Sequence, residues 1–431
     1  MRKQAIVVGS GAGGAAAAET LQGAFDVTVV EWGGAFRPFA GSTRFWENVR
    51  KTRLLADERM IGWVFPSMHV QKAAGGMVMV RGIGLGGTTT ISTGNAVRAD
   101  DGLRKIGIDL DDEFRWVKDE VPVTVQDPTA WKPVTRRLFE ACRTLGLHAE
   151  PIPKMGDYGR CLRCGRCEFG CPQGVRWDSR CLLAKAEARG ARVLTRTRVL
   201  EVALENGKAV GVIAARGPMR CQVRADVVVL AAGGFGTPPI LERSGIPCKP
   251  ALFVDPVLCV AGPCRGAGQD REVQMPFVVR DPRFILSPYF DWLSFFFNPA
   301  WRFPARDLVG VMVNLADESV GSLRHGRIEK RLTETDRREM ERGTGMAARI
   351  LQEFGVPRKD QFVGTINAGH PGGMFPLASR DDALSFRPRG LPEGLYVADS
   401  TLFPESPGNP PIFTILALAR KVGLEIVRRW A

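Results

Sequence analysis

The 431 residues hold no run of about eighteen consecutive apolar side chains, so no transmembrane helix is expected. A secretory leader is not expected either. Met1-Arg2-Lys3 passes straight into Ala5-Ile6-Val7-Val8 and a glycine-rich turn, which reads as a buried strand rather than a signal peptide. The sequence shows no polybasic block, internal repeat or low-complexity segment. Histidine is scarce, with four residues. Acidic residues are outnumbered 46 to 59, a formal charge of +13, but the basic residues are dispersed and read as solvated surface. Nucleic acid is therefore not an expected partner. With 45% hydrophobic and 24% charged residues, a largely disordered chain is excluded. The length suits two or three domains. Without a leader, the ten cysteines are expected to be reduced thiols or metal ligands rather than disulfides. The expected location is cytoplasmic, with attachment to a membrane surface or a redox complex as the alternative.

Gln4–Val8 reads as a buried strand and Ala15–Leu21 as a helix, with Gly9-Ser10-Gly11-Ala12-Gly13-Gly14 between them. This is the G-x-G-x-x-G dinucleotide fingerprint in strand–turn–helix context. Gly9 permits the tight turn, Gly11 the approach of a pyrophosphate, and Gly14 close packing of helix on strand. The helix N-terminus offers free N–H groups and a positive dipole end to phosphates. A second strand, Val27–Val30, ends at Glu31, twenty-two residues after Gly9. A carboxylate there accepts hydrogen bonds from an adenosine ribose and repels a 2′-phosphate. The pattern predicts FAD or NAD rather than NADP. Asp226–Leu230 reads as a further strand, leading into the small-residue turn Ala231-Ala232-Gly233-Gly234. Such a turn either closes a dinucleotide site or is a simple crossover.

Cys161-x2-Cys164-x2-Cys167-x3-Cys171-Pro172 matches the spacing of a bacterial ferredoxin run. Closely spaced thiolates on a turning backbone can grip one cuboidal cluster, and Gly165 and Gly170 allow the bends. The expected group is a [4Fe-4S] cluster; another iron–sulfur form, zinc, or no metal are the alternatives. Only one copy of the run exists, so the fourth ligand is either Cys171 or a remote residue such as Cys181. Cys142, Cys221, Cys248, Cys259 and Cys264 read as small hydrophobic residues.

Three further stretches resemble the glucose–methanol–choline (GMC) flavin oxidoreductases. Arg81–Thr90 (RGIGLGGTTT) is similar to the family's glycine-rich flavin loop, with Ser92 where an asparagine is usual and Asn95 the nearest substitute. Gly369-His370-Pro371-Gly372-Gly373 resembles the segment that presents the catalytic histidine. Gly394–Pro404, Asn409-Pro410 and Thr414–Ala419 resemble the C-terminal flavin signature. Asn409 lies one position earlier than the family's second polar catalytic residue. The resemblance implies an α/β fold: a Rossmann-type FAD-binding domain plus a substrate domain with an antiparallel sheet. It also implies FAD contacts at Gly9, Gly11, Ala12, Gly14, Glu31, Gly86, Gly87, Thr88, Val199, Ala232, Gly233, Asp399 and Thr414, with His370 and Asn409 catalytic. The FAD-binding domain is then discontinuous, formed by 1–100, 183–265 and 366–431. Residues 101–160 and 266–365 form the substrate domain, and 156–182 the iron–sulfur segment. Thr333–Glu353 reads as an amphipathic helix with a solvated face.

Between 277 and 303 there are ten aromatic residues. They suit a pocket for a bulky apolar substrate, a partner or lipid surface, or an ordinary core. The expected chemistry is oxidation of a CH–OH group, with hydride to the flavin and His370 as base. His69, His148 and His325 lie in no motif. A cluster takes one electron at a time, so electrons would leave through Cys161–Cys171 to a carrier protein or partner subunit. Two alternatives stand beside this reading. One is a reductase acting on an activated C=C or C=O bond. The other is an electron-transfer subunit of a larger complex.

Overall fold

The computed structural model describes residues 2–39, 41–52, 54–378 and 386–431. The first strand, β1 (Gln4–Val8), is buried over Ala5–Val8, as an apolar run in a sheet covered on both faces must be. It sits at the centre of a five-stranded parallel sheet. Asp26–Val30 and then Arg192–Leu194 lie on one side; Val227–Leu230 and then Leu395–Val397 lie on the other. The helix α1 (Ala12–Leu21) is built largely of alanine and glycine, which lets it press against the sheet and against the helix Ile412–Trp430. A Cβ on Gly13 would fall 1.8 Å from the Ala398 carbonyl, and one on Gly14 2.0 Å from that of Gly9. That close approach is why the turn accepts only glycine at these positions.

The second layer is a nine-stranded, mainly antiparallel sheet. Its centre pairs Val257–Pro263 with Leu308–Leu315, and Leu308–Leu315 with Phe284–Pro288. The helix Glu334–Phe354 covers this sheet with Met340, Ala347, Ile350 and Leu351, and its other face is solvated. Thr333 and Asp336 form a reciprocal capping box at its start. Rossmann-type sheet and antiparallel sheet are thus both present. The strands Met68–Lys72, Val78–Gly82, Val257–Pro263 and Asn367–Ala368 pair in the antiparallel sheet. All four fall inside the ranges 1–100, 183–265 and 366–431 that the motifs assign to FAD binding. Glycine motifs mark cofactor loops, not strand partners, and the chain crosses between the sheets more often than the motifs indicate.

Most of the aromatic segment is core. Phe290, Trp292, Phe295, Phe296 and Trp301 pack into one buried cluster, with Phe65 and Phe169 joining it. No helix among the described residues is long and apolar enough to cross a membrane.

Candidate active site

A cavity of about 340 Å³ opens at the C-terminal ends of the parallel strands and runs between the two sheets. This is where an open α/β sheet places its ligands. Its size falls within the usual range for small-molecule sites. Gly9, Gly11 and Ala12 line it, with Glu31, Gly87, Thr88, Val199, Ala232, Gly233 and Asp399.

The glycine turn has a void at one point. An added Cβ on Gly11 would meet nothing within 4 Å. Gly11 is also the residue before the first turn of α1, whose N–H groups face the void. Arg81 lines the same cavity, and its Nε has no hydrogen-bond partner among the described residues. A diphosphate fits the open space beside Gly11 at the helix N-terminus. Glu31 accepts from the Ser10 hydroxyl at 2.6 Å and the Gly33 N–H at 2.7 Å, and still faces the cavity. Burial raises its pKa above the usual carboxylate value, against those hydrogen bonds. Asp399 clamps the turn, accepting from the Gly233 N–H at 2.9 Å and the Thr237 hydroxyl at 2.5 Å.

Four residues expected in the site lie off the cavity lining. Gly14 packs on Gly9, and Gly86, at φ +97°, on Thr90 and Arg180. The Thr414 hydroxyl accepts the Ala99 N–H at 2.9 Å and so ties the last helix to the chain before residue 100. Asn409 turns outward, where its side-chain oxygen accepts from Arg280 at 3.2 Å. Pro410, Pro411 and Ile412 face the cavity instead.

The loop before Asn409 is held by Asp255, which sequence reasoning missed. Asp255 is fully buried and holds φ +48°, uncommon for a residue other than glycine. Its N–H and that of Val254 donate to Asp317, which pairs with Lys330 at 2.6 Å, both side chains wholly buried. One carboxylate oxygen of Asp255 accepts from the Ser406 hydroxyl and the Gly408 N–H, fixing the loop before Asn409. The other has no hydrogen-bond partner among the described residues and faces His370 Nδ1, likewise unpartnered, at 3.6 Å. Burial pushes the Asp255 carboxyl up to about 6, opposed by the neighbouring His370. His370 lines the cavity, as does Asn314, whose side-chain oxygen lacks a partner among the described residues. Asp255 lies 115 positions from His370 in the chain. Only the pairing of the antiparallel sheet brings them together.

Glu168 and Tyr289 also line the cavity, and the Tyr289 hydroxyl donates to the Glu168 carboxyl. Burial pushes that carboxyl up to about 8, so at neutral pH it is largely uncharged. Glu168 belongs to the cysteine run. Cys161, Cys164, Cys167 and Cys171 together line a small second pocket with Arg176; Cys181 is exposed and outside it. Among the described residues no three His, Cys, Asp or Glu side chains stand close enough to hold a single metal ion.

Comparison with known proteins bears on the family. The family model for GMC oxidoreductases matches residues 4–257, more than half of the chain. An uncharacterised protein of Methanocaldococcus jannaschii is 25% identical over 356 residues, spanning 80% of this chain and 86% of that protein. A long-chain-alcohol oxidase of Arabidopsis thaliana is 27% identical over 282 residues, spanning 56% of this chain and 34% of that protein. The crystal structure of pyridoxine 4-oxidase from Mesorbium loti superposes with a TM-score of 0.72 at 17% identity. It covers 98% of this chain and 99% of that one, a likeness of fold. The glycine cradle, the paired sheets and the family match agree, and the chain belongs to the GMC oxidoreductase family.

Proposed function

We propose that the chain oxidises a bulky, largely apolar alcohol at FAD, with His370 taking the hydroxyl proton and the electrons leaving through the Cys161–Cys171 segment. As a GMC oxidoreductase it is an FAD-dependent oxidoreductase acting on CH–OH donors. The observation that carries the finer reading is the composition of the cavity. One space holds the glycine cradle, His370 and a wall of Ile91, Met275, Trp292, Leu293 and Met312. The likeness to a long-chain-alcohol oxidase supports an apolar donor.

FAD, when bound, supplies the acceptor for the carbinol hydride. The remaining work falls to the chain. Asp255 faces His370 Nδ1, which favours the tautomer with Nδ1 protonated and leaves Nε2 free to accept the substrate hydroxyl proton. An ionised Asp255 also stabilises the imidazolium that this transfer forms. The unpartnered oxygen of Asn314 offers the substrate a hydrogen-bond acceptor. Apolar side chains around these groups exclude water and strengthen their electrostatic interactions.

The test is a series of straight-chain primary alcohols, assayed anaerobically with an artificial one-electron acceptor. Burying one more methylene is worth about 0.8 kcal/mol, so kcat/KM should rise about four-fold per added carbon until the cavity is full. Preference for short or polyhydroxylated alcohols would overturn the apolar-donor reading.

A further inference from the structure

Two buried basic side chains, Lys154 and Arg176, lie near the second pocket, and Arg176 lines it. Lys154 is wholly buried, and its ammonium bonds the Asn95 side-chain oxygen and the carbonyls of Gln274 and Thr93. Arg176 is buried too, bonded to the carbonyls of Thr89, Thr90 and Trp177 and to the Ser92 hydroxyl. Neither cation has a carboxylate partner among the described residues. Two buried basic side chains without a carboxylate partner are costly to keep charged. Both act on Cys167 through their charge, and Lys154 on Cys161 as well.

The four cysteines line one pocket with Arg176. The backbone bends through positive φ at Arg163, Gly165 and Gly170, which turns successive cysteines toward one pocket. The loop is pressed onto the neighbouring turn, because a Cβ at Gly165 would fall 1.8 Å from the Asp270 carbonyl. Tetrahedral zinc at about 2.3 Å per bond would need thiolates about 3.8 Å apart. Among the described residues no three such side chains stand that close. A cuboidal cluster, with one thiolate on each of four separate irons, spaces its ligands more widely.

We infer that this pocket is a [4Fe-4S] site held by Cys161, Cys164, Cys167 and Cys171 and neutralised by Lys154 and Arg176, and that it passes the electrons of alcohol oxidation one at a time to an external one-electron acceptor. The coupling rests on the reading of the main cavity as the alcohol site. The two sites share a wall. The cations hold the segment Thr89–Asn95, which lines the main cavity, and Glu168 and Phe169 of the cysteine run line it too. Oxidation of one alcohol to its carbonyl breaks the C–H and O–H bonds and releases two electrons and two protons. The electrons reach two acceptor molecules singly through the cluster, and the protons pass to water.

The test uses the full chain, purified anaerobically with its FAD. About four irons and four labile sulfides per chain are expected, with an electron paramagnetic resonance signal on reduction. Cys164→Ser and Cys171→Ser should each lose most of the iron while FAD is retained, and Cys181→Ser should keep the iron. Lys154→Gln should move the cluster's midpoint potential to a more negative value, because a positive charge beside it is gone. Stoichiometric zinc without sulfide overturns the site, as does full iron in Cys164→Ser. Iron-free protein whose flavin is still bleached by alcohol overturns the site and leaves the alcohol reading standing. Four irons in a chain whose flavin no alcohol bleaches supports the site and overturns that reading.

Discussion

Gly11→Val is expected to fold and to purify without FAD. Of the glycines in the turn, Gly13 and Gly14 meet backbone at 1.8 and 2.0 Å when a Cβ is added, so changing them strains the fold itself. Gly11 meets nothing within 4 Å. Its backbone, at φ −68° and ψ −165°, is also one that any residue adopts. A valine there occupies the space in which a diphosphate would approach the helix N-terminus. Replacing the N-cap glycine costs about 1 kcal/mol at most, too little to unfold a chain of this size. Flavin absorbance per chain should fall to near zero while the circular dichroism and the urea midpoint stay close to wild type. A yellow, stoichiometrically loaded variant would show that the cofactor lies elsewhere.

His370→Ala is expected to slow flavin reduction by about 10²–10⁴-fold with FAD content unchanged, the usual cost of losing a general base. The cavity supplies no second imidazole, since His370 is its only lining histidine among the described residues. Asp255→Asn should cost less. An amide oxygen can still accept from Nδ1, but it lacks the charge that stabilises the imidazolium. Asp255 faces His370, Ser406 and, through the backbone, the Asp317–Lys330 pair. With its carboxyl pushed up to about 6, wild-type flavin reduction should fall as the pH drops through that value and Asp255 becomes neutral. In the Asn variant the part of that fall that comes from Asp255 should be absent. Wild-type reduction rates in His370→Ala would place the base elsewhere.

The parts of the molecule legible in the sequence are those whose physics is local. The run Ala5-Ile6-Val7-Val8 followed by the glycine turn specifies a buried strand, a phosphate-facing helix end and the place of the cofactor within one short stretch. The cysteine spacing is local in the same sense, and the structure gathers the four thiols around one pocket. Cys171 lines that pocket and Cys181 does not.

Non-local pairing was not legible. Asp255 sits where the strand Val257–Pro263 begins, in a stretch with no motif around it. Its value comes from an αL backbone turn held by Asp317 and from the crossing that places His370 beside it. Lys154 has no visible signal either, being one lysine among many until the fold buries it. Asn409 and Thr414 were inferred from a C-terminal pattern, but their side chains point to Arg280 and Ala99 rather than into the cavity. Signature spacing records which segment approaches the cofactor, not which side chain in it turns inward.

The most direct test of the central claim is anaerobic stopped-flow bleaching of the flavin by a long-chain primary alcohol, compared with the same alcohol carrying deuterium on its carbinol carbon. The protiated alcohol should bleach the flavin in a single turnover and the deuterated one several-fold more slowly, because the C–H bond breaks in that step. Failure of long-chain, branched and aromatic alcohols alike to bleach an FAD-loaded chain would contradict the claim.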